Sequence, residues 1–204
     1  MATQRSFDRP DGIGSDAQGN LIVCDSTRIL KIDKVTQRMT TLSEEHLKTG
    51  GYPFPSDLVV DRDDNIYFAE ANTGRIRVLR RNKTTQTIYT KRMDGTVSNP
   101  VVDADGILFF IESNLVFQIE LASKRVSLIA GKPRTRPGET FSGDGGPATE
   151  AGMDNPSGLA LDSQGNLCVS DWIANRVRRI DRRTGIIETI AGNGEPKHPR
   201  RPIL

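Results

Sequence analysis

Four acidic residues recur along the 204-residue chain at Asp25, Glu70, Glu112 and Asp171, separated by 45, 42 and 59 positions. Carboxylates in such a series could form a ring that takes a cation or a basic ligand. They could equally end strands and pair with a following arginine, as Glu70 could with Arg75 and Asp171 with Arg176. Pairing or turn capping carries the greater weight, and the four are kept as candidate binding residues. A second series, Asp16, Asp61, Asp103 and Asp162, reads as turn-forming acids that accept backbone N–H groups. Ser142-Gly143-Asp144-Gly145-Gly146 could cradle a phosphate or help hold Ca²⁺, because glycines let backbone N–H groups approach an anion. The loop offers one carboxylate, whereas Ca²⁺ takes six to eight oxygens. No Lys-Ser/Thr follows it, so it is not a P-loop. A flexible connection is expected there, with Asp144 retained as a candidate.

Arginines form a third group. Arg75, Arg77, Arg176, Arg178 and Arg179 could make a basic stripe for RNA phosphates, although alternation along a strand places them on a solvated face. Recognition of single-stranded RNA normally adds aromatic platforms, and Trp172 is the one that stands out. Trp172 could be an exposed binding anchor or could pack on a neighbouring element; the sequence leaves both open. The only histidines, His46 and His198, have no plausible catalytic neighbour in sequence, which excludes most histidine-based metal or triad chemistry. Cys24 and Cys168 are expected to be free thiols, since two cysteines cannot staple a domain of this size and no CxxC occurs. No catalytic residue, metal or cofactor is expected.

Composition narrows the classes further. Lys+Arg 28 against Asp+Glu 26 leaves a net charge of +2, so net charge gives no argument for nucleic acid. Hydrophobic residues at 35% exclude a disordered acidic or basic tail. The longest apolar run, Ile107 to Ile111, is far short of the roughly 20 residues of a membrane helix, and no membrane partner is expected. No hydrophobic segment opens the chain, so no secretory signal is expected, and the compartment is left unassigned.

The elements that position these residues come from an internal repeat. Pro10 to Asp25 aligns without gaps to Pro156 to Asp171, with nine of 16 positions identical. A further copy runs from Pro55 to Glu70, and a worn one from Pro100 to Glu112, in which Pro100 stands three residues before Asp103 rather than six. The last interval is long because Gly131 to Asn155 carries an insertion. Each unit reads as four short strands. In the fourth these are Gly158 to Asp162, Leu167 to Asp171, Arg176 to Asp181 and Ile186 to Ala191, separated by Gly- and Asn-bearing turns. No segment offers ten residues of helical periodicity, so a period near 45 predicts all-β propeller blades rather than helical repeats. The expected blades are 10–43, 55–90, 97–131 and 156–192 of a single domain, with an insertion at 132–155 and a tail at 195–204.

Asp-x-x-Gly-Asn-Leu-x-Val-x-Asp, then Asn-x-Arg-Val-Arg-x-Ile-Asp, then Thr-Gly-Ile-Ile-x-Thr-Ile-Ala-Gly resembles the NHL repeat. Phe141 to Ala151 resembles the linker between NHL blades. The resemblance covers Pro10 to Gly194 and implies an NHL-type β-propeller, a fold that commonly closes with six blades where four are visible. A closed ring of four, a partial ring and closure by self-association all remain open. The function implied is a non-enzymatic scaffold that binds a protein or peptide through its loop-rich face. Single-stranded RNA binding through the arginines is the first alternative. A metal-dependent hydrolase or lactonase-like propeller is the second. Lyase relatives of this architecture use several histidines on a metal, which this chain lacks, so the chain is not expected to be an enzyme.

Overall fold

In the computed structural model the described residues are 6–43, 55–133 and 141–196. His46, His198 and the tail cations Lys197, Arg200 and Arg201 lie outside them. The described residues form four antiparallel four-stranded sheets and no α-helix, and the chain is a β-propeller chain. Among the described residues no helix is long and apolar enough to cross a membrane. Blade 1 holds β1 (Pro10–Ser15), β2 (Leu21–Asp25), β3 (Arg28–Ile32) and β4 (Met39–Ser43). Blade 2 holds β5 (Pro55–Val60), β6 (Ile66–Glu70), β7 (Arg75–Leu79) and β8 (Thr85–Thr90). Blade 3 holds β9 (Val97–Val102), β10 (Ile107–Glu112), β11 (Leu115–Glu120) and β12 (Arg125–Ala130). Blade 4 holds β13 (Pro156–Leu161), β14 (Leu167–Asp171), β15 (Arg176–Ile180) and β16 (Ile187–Ala191). Strands follow one another in sheet order within each blade.

Turn chemistry sets this meander. Asp16 Oδ1 accepts the backbone N–H groups of Gln18 at 3.1 Å and Asn20 at 2.8 Å, while Gly19 takes a φ of +81°. Asp61, Asp103 and Asp162 each accept the N–H groups two and four residues on in the same way. Each acid thus closes the first hairpin of its blade. Asp16 also accepts a 2.7 Å ion pair from Lys31 and lies almost wholly buried. Burial opposes its charge, but the Lys31 ammonium and the Asn20 amide outweigh burial and hold its carboxyl at about 2. A carboxyl lowered on folding stabilises the fold above its unfolded value, and that contribution is lost as pH falls. Acid unfolding of Asp16→Asn is therefore expected to lack part of the stability loss that the parent shows between about pH 4 and about pH 2. Urea melts at stepped pH would measure it, and identical slopes for the two proteins would refute it.

The chain divides into two compact units, Met1–Ser113 with Gln118–Val126, and Asn114–Phe117 with Ser127–Leu204. In the first, the inner strands β1, β5 and β9 lie successively side by side. Ile22, Cys24 and Ile29 of blade 1 pack on Leu58, Ile66, Phe68 and Leu79 of blade 2, which makes the inter-blade core. Gly12 is required where β1 meets β5: a Cβ there would stand 2.6 Å from the Asp57 Cα. Cys24 belongs to this core, and burial raises its thiol far above the ordinary range, so the thiolate does not form at neutral pH.

The third repeat keeps its spacing. Val97, not Pro100, pairs with the strand-ending acid Glu112, as Pro10 pairs with Asp25 and Pro55 with Glu70. Val97 stands six residues before Asp103, so the apparent shortening came from taking Pro100 as the repeat's opening proline.

In the second unit the insertion is not a loose connection over its described part. Ala148 donates to the Gly185 carbonyl at 2.8 Å, Gly145 to the Ile187 carbonyl at 2.8 Å, and Ile187 to the Gly146 carbonyl at 3.1 Å. Pro147 bridges Ile186. Residues 145–148 thus strap the outer edge of β16.

Candidate functional site

The four recurring acids are buried and internally committed. Asp25 accepts the N–H groups of Asp8 and Arg9, each at 2.8 Å, and pairs with Arg28. Glu112 accepts those of Arg92 at 2.8 Å and Met93 at 2.7 Å, and the Tyr89 hydroxyl. Asp171 accepts those of Asp154 and Asn155, each at 2.9 Å. Glu112 and Asp171 therefore hold the segment arriving from the preceding blade, and Asp25 holds the segment that leads into β1. Glu70 accepts the Thr73 hydroxyl at 2.7 Å and Arg77 at 3.0 Å, so its partner is Arg77 and not Arg75. Arg176 likewise turns away from Asp171, donating to the Asn193 and Ala174 carbonyls and stacking 4.0 Å from the Phe141 ring. These acids do not present the open carboxylate ring that a cation or basic ligand would need.

The arginines also depart from the solvated stripe. Arg178 is 0% exposed. It reaches Asp144 Oδ1 through Nε at 3.0 Å and Nη2 at 2.7 Å, the Gly152 carbonyl at 2.9 Å and the Ser142 carbonyl at 2.9 Å. Its guanidinium lies 4.6 Å from the Phe141 ring centroid. Asp144 is therefore the anchor of the strap, not a phosphate or Ca²⁺ ligand in waiting. Arg77 sits 5.9 Å from the Phe68 ring as well as on Glu70, and Arg179 pairs with Glu188. Arg75 is half-buried at the start of β7. Trp172 is 64% exposed.

Another group, which the sequence reading passed over, collects on the inner strands of the first unit. Leu58 pairs with Phe68 and Ile13 with Val23, each partner two residues before its strand-ending acid. Leu159 pairs with Val169 at the same point of blade 4. The residue just before this pairing position is Gly12 in blade 1 and Gly158 in blade 4, but Asp57 in blade 2 and Asn99 in blade 3. Asp57 Oδ2 accepts the Asn99 N–H at 3.0 Å, joining β5 to β9. Asn99 has a φ of +53°, a conformation that L residues other than glycine, Asn and Asp seldom hold. A register shift marks the ladder at this level in all four blades; such bulges re-aim side chains and are frequent next to active sites. Burial raises the Asp57 carboxyl above its ordinary value, and the neighbouring Asp11 charge adds to the rise. Asp11 is exposed, 3.9 Å from Arg9. Among the described residues no three His, Cys, Asp or Glu side chains gather in metal-binding reach; the polar side chains of this group are those of Asp11, Asp57 and Asn99. The signal in the sequence is the acid and the amide standing where two of the repeats have glycine.

Comparison with known proteins places this architecture. The chain belongs to the SMP-30/Gluconolactonase/LRE-like region family, whose match runs over residues 1–195. A streptogramin B lyase structure superposes with a TM-score of 0.69 at 18% identity, over 90% of this chain and 54% of that one. The structure of a putative gluconolactonase superposes with a TM-score of 0.63 at 16% identity, over 92% of this chain and 64% of that one. Human Teneurin-1 is 26% identical over 234 residues, 89% of this chain and 8% of its own length. The chain thus spans little more than half of the lyase structure and a small part of Teneurin-1. The expected propeller stands, and its family is the SMP-30/gluconolactonase/LRE-like one, the NHL repeat being a resemblance of blade motifs. The expectation that the chain is not an enzyme is overturned by its membership of a family named for gluconolactonase.

Proposed function

We propose that this chain carries part of a metal-dependent hydrolase of the lactonase type, with Asp11, Asp57 and Asn99 on three successive inner strands as its metal-binding residues. The observation that carries the reading is the replacement of the repeat's glycine by Asp57 and Asn99 on adjoining strands, beside a second acid. The family supports the same reaction class. An all-oxygen donor set suits a hard cation such as Ca²⁺, and the Asp57 carboxyl is raised first by its burial and then by the neighbouring Asp11 charge. Ca²⁺ takes six to eight oxygens, so these three residues are a partial set that water and other donors complete. A bound cation would supply Lewis acidity toward a lactone carbonyl. Lactone opening adds the oxygen of water to that carbonyl carbon and breaks the ring C–O bond, giving a hydroxy acid. Asp57 is fixed for its role by its bond to the Asn99 N–H, so the two inner strands move as one support.

The test is a melting curve of the chain with and without Ca²⁺. Ligand at roughly 100 times its Kd stabilises by about 2.7 kcal/mol, a rise of several degrees in Tm. Asp57→Asn is expected to abolish that rise, and to lower acid release from a panel of lactones wherever the parent shows it. No rise at millimolar Ca²⁺, or an equal rise in Asp57→Asn, would refute the reading.

A further inference from the structure

A cleft of about 220 Å³ opens between blades 1 and 2, wholly within the first unit. Its floor is apolar: Ile22, Leu42, Val60, Ile66 and Leu79. It lies at the end of β1 that carries Asp16, whereas Asp11 stands at the other end of that strand, so it is separate from the inner-strand group. Its mouth is cationic. Asp16 pairs with Lys31, and Asp64 keeps its charge while accepting the Ala17 N–H at 3.1 Å, so cations still outnumber carboxylates in the lining. Arg80, Arg81 and Lys83, all exposed, line the opening from the turn between β7 and β8. Among the described residues Arg81 and Lys83 form no ion pair.

The repeat shows that the cation at Arg80 is particular to blade 2, whereas Arg81 has Lys34 in blade 1 and Arg182 in blade 4 as its counterparts. The residue after β3 in blade 1 is Asp33, β11 of blade 3 ends on Glu120, and the residue after β15 in blade 4 is Asp181. In each the carbonyl of that acid accepts the N–H four residues on, which closes the turn. Blade 2 has Arg80 at this point, and its carbonyl closes a turn one residue shorter, onto the Lys83 N–H at 2.8 Å. Thr84 bonds Asn82 Oδ1 through its N–H at 3.0 Å and its hydroxyl at 2.6 Å, which fixes the turn. An acid has become a cation here, beside an apolar cleft.

We infer that this cleft binds a small organic carboxylate with a compact apolar body, the apolar part against Ile22, Leu42 and Val60 and the carboxylate at Arg81 and Lys83. The floor excludes a purely polar anion as the preferred ligand, and the mouth disfavours an amine. Titration of the whole chain with hexanoate at low salt, followed by amide chemical shifts or calorimetry, tests it. Hexanoate is expected to saturate and to perturb blades 1 and 2. It should bind about tenfold more tightly than inorganic phosphate or hexylamine, and Arg81→Glu with Lys83→Glu should weaken it at least about tenfold. Both positions are exposed, so folding is retained, and Arg182→Glu with Arg183→Glu in blade 4 serves as the charge control. Asp57→Asn should leave hexanoate binding unchanged, which separates this site from the proposed metal site. Unchanged affinity in the Arg81/Lys83 variant, equal binding of phosphate, or no saturation would each overturn the inference.

Discussion

Replacing Arg178 by leucine is expected to destabilise the second unit by roughly 3–5 kcal/mol, the scale of removing one member of a buried ion pair. Four hydrogen bonds converge on this fully buried guanidinium, two to Asp144 and one each to the Ser142 and Gly152 carbonyls. Leucine fills part of the volume but leaves two carbonyls and a carboxylate without their donor, and such groups cost far more than a hydrogen bond nets. Asp144 keeps some solvent contact, at 34% side-chain exposure, which places the effect toward the lower end of the range. Arg178→Lys should recover little, because an ammonium cannot reproduce the planar fork or the face against Phe141. Urea unfolding gives the magnitude. Proteolysis gives the place: cleavage within 141–155 should accelerate before blades 1 and 2 are affected. A variant that melts within 1 kcal/mol of the parent, or is cut elsewhere first, would show that the strap does not depend on this residue.

Glu112→Ala should be of similar size, about 3–4 kcal/mol, for a different reason. Glu112 is a wholly buried carboxylate that receives two backbone N–H groups and the Tyr89 hydroxyl. Burial and the facing Glu112 carboxylate raise the Tyr89 phenol well above its ordinary range, so the hydroxyl stays a donor at every working pH. Charge-assisted bonds are worth about 1.5–3 kcal/mol each, and alanine removes three while leaving the donors enclosed. Tyr89→Phe removes only one, and its ring keeps its tilted contact with Phe110 at 4.6 Å; a loss of about 1–2 kcal/mol is expected. If Glu112→Ala costs no more than Tyr89→Phe, the carboxylate does not hold the incoming segment. Glu112 pairs with Val97 on the inner strand β9, whereas Tyr89 lies on the outer strand β8, so any Ca²⁺ response should survive intact in Tyr89→Phe.

The strands were legible because local chemistry repeats with the period. An acid followed by turn residues announces each first hairpin, with Gly-Asn closing it in blades 1 and 4, and β14 has the bounds that its turn residues imply. The internal role of the strand-ending acids was legible in kind but not in partner. Arg77, not Arg75, reaches Glu70 because the side chain two residues on returns to the same face of the sheet. Arg178 was illegible: its strand reads Arg-Val-Arg-Arg-Ile, a solvated pattern, and its carboxylate partner lies 34 residues earlier in the insertion. The inner-strand group was hidden differently. Asp57 stands in the second copy, and taking Pro100 as the opening proline left Asn99 outside the third, so substitution of a shared glycine went unread. No histidine or cysteine motif marks this group.

The strap over β16 also bears on how the chain behaves at high concentration. An outermost strand normally offers a row of open amide and carbonyl groups, a template for pairing with another molecule. Here 145–148 occupy the start of that row, from Gly185 to Ile187, and the bridging residue is Pro147, which has no N–H to pass the ladder outward. The insertion therefore blocks pairing with another molecule where β16 begins.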